Sequence, residues 1–177
     1  MQKQLFSIAL FLLLLSCSRN EKDFDSFEYS FGGFRSTKFS IKFTESDTLF
    51  LREHWNVVER HGITYPKDKT NYIAILSQEQ RNQLSELLKK INFKNLKSEY
   101  YEAYNDGSAY QIIFKKDNLS KTVFVHSHNT PKELDSLSNW IWKTKMNLKL
   151  IKTNREFVFK SIDAIFPTPP PPPPLKK

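Results

Sequence analysis

The sequence predicts an α+β domain: an antiparallel sheet of about four to six strands, with two main helices on one face. Three observations carry this expectation. "TKFSIKFT" alternates strictly, with Phe39, Ile41 and Phe43 on one side and Lys38, Ser40, Lys42 and Thr44 on the other, the pattern of a half-buried antiparallel strand. Two apolar stripes at helical spacing each start at a capping pattern. The elements follow one another as strands, helix, strands, helix, which favours helices packed together against one sheet.

The chain opens with Met1, Gln2 and Lys3, followed by a mainly apolar run from Leu5 to Leu15. A positive n-region before about eleven apolar residues is the layout of a signal peptide. The run is too short to span a bilayer, which needs about 20 apolar residues, and Arg19, Glu21, Lys22 and Asp23 follow it. At its end stands Leu14-Leu15-Ser16-Cys17. This stretch resembles the bacterial lipobox, although Leu15 departs from the commoner small or β-branched residue at its position. The resemblance implies that residues 1–16 are a lipoprotein signal peptide. It also implies that Cys17 becomes the first mature residue, carrying a diacylglyceryl thioether and an N-acyl chain such as palmitate. A plain secretory signal with an incidental cysteine is the bland alternative. More than one acyl chain gives stable attachment, at about 0.8 kcal/mol per buried CH₂. Ser18 stands where some lipoproteins carry an aspartate that retains them in the inner membrane, and Glu21-Lys22-Asp23 with Asp25 looks like the tether of surface-exported lipoproteins. Residues 17–26 are therefore read as the lipidated cysteine and its tether. The expected location is the cell envelope, as an outer membrane lipoprotein facing the periplasm or the cell surface.

A single domain is expected over 27–166. "SDTLFLREHW" follows the alternating strand after a polar turn at Glu45-Ser46-Asp47, so the two should pair as a hairpin. Residues 56–69 are polar, contain Gly62 and Pro66, and read as a loop, whereas "NYIAIL" reads as a short strand. Ser77 and Gln80 match a capping box, and Leu84, Leu87, Leu88 and Ile91 form one stripe, which predicts a helix over 78–91. "SAYQIIFKK" and "KTVFVHSH" predict a second hairpin, with turns at Asp106-Gly107 and Lys116-Asp117-Asn118. Thr130, Pro131 and Glu133 predict the start of the second helix, with Thr130 as its cap. Its stripe is Leu134, Leu137, Ile141 and Leu148, with Trp140 alongside. "REFVFKSIDAIF" fits a strand or a final helix. Residues 167–177 hold six consecutive prolines, Pro169 to Pro174. Such a tail favours polyproline II, either as a solvated spacer of roughly 25 Å or as a ligand for an aromatic groove.

The layout resembles a family of small Bacteroidota lipoproteins of unknown function. The residues that carry the resemblance are Leu76-Ser77-Gln78-Glu79-Gln80, Asn92-Phe93-Lys94-Asn95-Leu96, Tyr100 with Asp106, and Pro131-Lys132-Glu133-Leu134, within residues 27–148. Family members open with Cys-Phe-Gly-x-Cys-Pro. Here Ser30-Phe31-Gly32-Gly33-Phe34-Arg35 stands in that place, so a thiol or metal role cannot be carried over. The backbone reason for Gly32-Gly33, a turn or bulge needing positive φ, is retained. The resemblance implies no activity.

Composition narrows the function classes. The 177 residues include 15 Phe, 7 Tyr and 3 Trp against 4 Gly, enough aromatic area to build a core without disulfides. Cys17 is the only cysteine, which excludes an intrachain disulfide and a thiolate cluster. The formal net charge is +8, but no run of five basic residues and no nucleic-acid motif occurs, so no nucleic-acid partner is expected. No cofactor is expected either. His126 and His128, two apart on a strand, share a side and are candidates for a metal site. A third ligand would have to come from His54, His61, Glu53 or Glu59. Glu99, Glu102 and Asp106 around Tyr100, Tyr101 and Tyr104 form an acidic-aromatic cluster suited to binding, or to carboxylate-dependent hydrolysis. Trp140 and Trp142 cannot both face the core, so Trp142 is a candidate partner contact or a cover for the sheet edge. The leading expectation is a non-enzymatic binding or interaction module, anchored in the membrane by its lipid and meeting an envelope protein. The alternatives are an envelope inhibitor or immunity lipoprotein, and a small carboxylate-dependent hydrolase.

Overall fold

The computed structural model describes residues 22–33, 38–60, 63–103 and 107–165, with 55–60 and 63–68 by backbone alone. Eight strands form one sheet: β1 (Ser26–Gly33), β2 (Lys38–Phe43), β3 (Thr48–Arg60), β4 (Ile63–Ile75), β5 (Glu99–Tyr101), β6 (Ser108–Lys116), β7 (Leu119–His126) and β8 (Ile151–Thr153). Helix α1 (Gln78–Lys90) follows β4, and α2 (Lys132–Asn147) follows β7. The order across the sheet is β5-β7-β6-β1-β2-β3-β4-β8. All neighbours pair antiparallel except β5 and β7, which run parallel.

The expected antiparallel sheet of four to six strands is thus corrected to a mixed sheet of eight. Residues 56–69, expected as a loop, continue the β3–β4 ladder as far as Arg60↔Ile63. Their polarity hides a strand because the partner supplies backbone hydrogen bonds and not an apolar face. Pro66 is tolerated because β8 pairs only with Asn71–Ile73 of β4, leaving an open edge at Pro66. The three-residue strands β5 and β8 are too short to show alternation.

In β1, β2 and β3 as far as His54, odd-numbered residues point to the helices. Phe27, Tyr29, Phe39, Ile41, Phe43, Leu49 and Leu51 are buried there with Leu84 and Leu88 of α1 and Leu134, Leu137 and Ile141 of α2. Phe27 stacks on its cross-strand partner Phe43 at 5.0 Å, a pairing that adds to the area it buries. The Tyr29 hydroxyl lies 2.7 Å from Ser138 Oγ, and Trp140 Nε1 donates to Gln83 Oε1, joining the helices. The capping box at Ser77 and Gln80 forms as the sequence predicts. At α2, Pro131 occupies the cap position without a side-chain bond. Thr130 Oγ1 donates instead to the Asp135 carboxylate, so the expected Thr130 cap is corrected.

The other side of the sheet carries Glu28, Ser30, Ser40 and Asn71, all buried. The covering layer is the C-terminal segment, neither a strand nor an α-helix over the described residues 155–165, whose one regular piece is a 3-10 turn at Lys160–Ile162. It lies down by hydrogen bonds. Arg52 Nη2 donates to the Phe157 carbonyl at 2.6 Å and Asn71 Nδ2 to the Arg155 carbonyl at 2.9 Å. Ser30 Oγ lies 2.7 Å from both Ser40 Oγ and Ser161 Oγ. Glu28, 3% exposed, accepts from Lys42 Nζ on one oxygen and from the Lys160 and Ser161 amides on the other. Apolar contact helps through Phe157, stacked on Phe50 at 4.5 Å. Gly32 lies within β1, and a Cβ there would meet Ile165 Cγ2 at 2.5 Å. Its glycine serves this close approach, and the expected positive φ is corrected.

Two predictions follow from this layer. Removing the carboxylate in Glu28→Ala strands two amide donors and a partly buried ammonium, and should lower unfolding free energy by about 3 kcal/mol; urea denaturation with an unchanged m-value measures it. His54 is buried on the same side, and burial, with Arg52, Lys38 and Lys69 nearby, pushes its pKa down to about 4. The unfolded chain binds the proton first, so stability is whole above pH 6.5 and falls as pH drops toward 4, by on the order of 2 kcal/mol. Thermal denaturation across that range should show this slope, and His54→Gln should flatten it.

Candidate functional site

The parallel register of β5 on β7 brings together two groups that lie far apart in sequence. Tyr101 pairs with His126 and Tyr100 with Val125, and the Glu102 amide continues the ladder by donating to the His126 carbonyl. Tyr101 is 61% exposed, and its ring centroid lies 5.5 Å from that of His126. Tyr100 points the other way, is half-buried against the core, and its hydroxyl accepts from the Lys97 amide. Glu99 shares the side of Tyr101 by strand alternation.

Glu102 lies one residue beyond β5. One carboxylate oxygen accepts from the His128 amide at 2.7 Å, and the other accepts from Asn129 Nδ2. These bonds, the His128 amide first, hold its pKa below the ordinary carboxylate value. A general acid needs the opposite shift. Glu102 therefore acts as a fixed acceptor that shapes the turn after β7. It does not pair with Glu99, which stands within the strand. Asn129 is the part of this network that no motif or spacing singles out.

His126 ends β7 and His128 lies two residues beyond, past the strand, so the shared-side geometry expected of them does not extend to His128. Glu53 and His54 are on β3, four strand positions from β7, roughly 19 Å at strand spacing. Glu53 is moreover paired with Lys145 of α2 in a buried ion pair. Among the described residues no group of three His, Cys, Asp or Glu is placed to hold a metal ion. Cys17, His61, Tyr104 and Asp106 lie outside the described residues, as does the side chain of Glu59. Trp142 is half-buried, 5.0 Å from the Phe31 ring and 5.6 Å from Phe39, so only its outer edge is available to a partner. Trp140 flanks the core beside Phe43.

A second concavity, of about 1040 Å³, lies at the other end of the β6–β7 hairpin, between the N-terminal segment, the β2–β3 turn and α1. Asp23 and Arg81, each 16% exposed, form an ion pair in its wall, and Ser85 Oγ donates to Asp23. Among the described residues no helix is long and apolar enough to cross a membrane.

The family model described as a domain of unknown function, DUF6438, matches residues 56–145. No curated protein and no solved structure matches the chain. No enzyme family and no relative connects it to catalysis.

Glu102→Ala should speed hydrogen exchange of the His128 backbone amide while leaving the global melting temperature unchanged, because the bonds it removes are local and exposed. Amide exchange read by NMR checks this.

Proposed function

The chain belongs to the DUF6438 domain family, and on that premise we propose that it is a lipid-anchored envelope lipoprotein whose folded domain is a non-enzymatic binding module. The observation that carries the binding reading is the Glu102 network. A carboxylate that accepts from the His128 amide on one oxygen and from the Asn129 side chain on the other fixes the shape of a surface turn. Beside it, Tyr101 and His126 present an aromatic pair next to an edge strand, and exposed tyrosine beside fixed polar groups suits protein recognition. The anchor reading is supported by Leu14-Leu15-Ser16-Cys17 and by the fold beginning soon after, with Phe24 already buried. With the 76–80 capping pattern and Ser18 after the cysteine, these features support placing the protein among small outer membrane lipoproteins of the Bacteroidota.

The intact mass of protein extracted from envelopes should correspond to a chain starting at a lipid-modified Cys17, and Cys17→Ser should retain the mass of residues 1–16. Crosslinking on intact cells should give a discrete adduct that Tyr101→Ala weakens. An unmodified Cys17 removes the anchor; a wild-type chain that forms no adduct removes the binding reading.

A further inference from the structure

The concavity beside α1 has no part in the reading above, yet its chemistry is specific. Five basic side chains line it: Lys22, Arg81, Lys89, Lys94 and Lys116. Three carboxylates face them: Glu45 pairs with Lys22 at 2.9 Å and Asp23 with Arg81 at 3.7 Å. Lys89 pairs with Glu86 at 3.2 Å, outside the lining. Five basic groups against these four carboxylates leave a small positive excess. Amides of Gln78, Asn82 and Asn92 add both donors and acceptors. The floor is Phe24, Leu88, Ile91, Phe93 and Phe114, all buried in the core, so it gives the cavity a rigid shape and little apolar area for a ligand to cover. Arg81 is held in place by the Thr44 and Glu45 carbonyls and by the Phe24 ring, 5.1 Å from its guanidinium carbon. Such a lining suits a compact anion bearing hydroxyls and does not suit an acyl chain.

Position selects the source of that anion. Lys22, in the wall, is five residues from Cys17, a chain length that spans at most about 18 Å. If Cys17 holds the lipid, as proposed above, the cavity cannot be farther than that from the headgroup layer. We infer that this cavity is a membrane-proximal site for the glycerophosphate headgroup of an anionic lipid. Lys89 and Lys94 are exposed at the cavity; Lys89 also pairs with Glu86 at 3.2 Å in the last turn of α1, whereas Lys94 follows the helix.

The test uses the full chain purified in non-ionic detergent and titrated by calorimetry with short-chain phosphatidylglycerol, short-chain phosphatidylcholine, glycerol 1-phosphate and inorganic phosphate. Saturable binding of phosphatidylglycerol, at least roughly tenfold tighter than phosphatidylcholine, is expected. The double variant Lys89→Gln, Lys94→Glu should lose roughly tenfold in affinity, with its circular dichroism spectrum unchanged. Equal affinity for the two lipids, or an unaffected double variant, overturns the inference. If glycerol 1-phosphate or inorganic phosphate binds as tightly as the lipid, the ligand is a soluble phosphate compound and the headgroup assignment falls. The mass of Cys17 separates the two readings: an unmodified cysteine with headgroup binding intact removes only the anchor, and a lipidated one without binding removes only the cavity.

Discussion

Glu28 sits inside the polar side of β1, and the C-terminal segment closes over it. An alternating strand has one apolar and one polar side, and most such sheets leave the polar side in water. Here both sides are covered, so every polar group on the second side must find a partner or destabilise the fold. The covering layer meets that demand with its own backbone. Carbonyls of Arg155 and Phe157 accept from Asn71 and Arg52, and amides of Lys160 and Ser161 donate to Glu28. The extended part of the segment offers its carbonyls, and the 3-10 turn offers its first amides, which have no partner within the turn. The described residues 155–165 thus meet the polar side of the sheet without forming a strand or an α-helix.

The same sheet builds the candidate surface. Helix α1 and the segment after it carry the chain from β4 to β5; β6 follows β5, and β7 returns antiparallel to β6 to lie between the two, so β5 and β7 run parallel. Once β5 is in register, Tyr101 meets His126 and Glu102 reaches the turn at His128 and Asn129. The surface thus depends on a non-local pairing of three residues.

This explains what the sequence made legible. The hairpin at Lys38–Phe43 and the helix opening at Ser77 rest on local period and capping, and both are visible in a few residues. The β3–β4 extension is hidden because Pro66 and polar side chains mask a ladder made by backbone groups. β5 and β8 are hidden because three residues carry no period. His126, Tyr101 and Glu102 stand out singly as chemical types, but their union depends on the parallel register. The lining of the cavity comes from several separate segments, and no one of them signals a site.

The two surfaces have a fixed relation that follows from strand geometry. β7 begins at Leu119, in the cavity wall, and ends at His126, seven residues or roughly 23 Å along a strand. β1 runs the same axis, from beside Phe24 in the cavity floor to Gly32, which packs against Ile165. On the lipid-anchor reading, the tether therefore reaches the domain at the cavity end, whereas Tyr101 and His126 lie near the end where the described chain finishes. The distance between them is set by hydrogen-bonded ladders and not by loops, so it does not vary with the tether. A headgroup in the cavity and a partner held at Tyr101 would occupy opposite ends of β7 and would not compete for space.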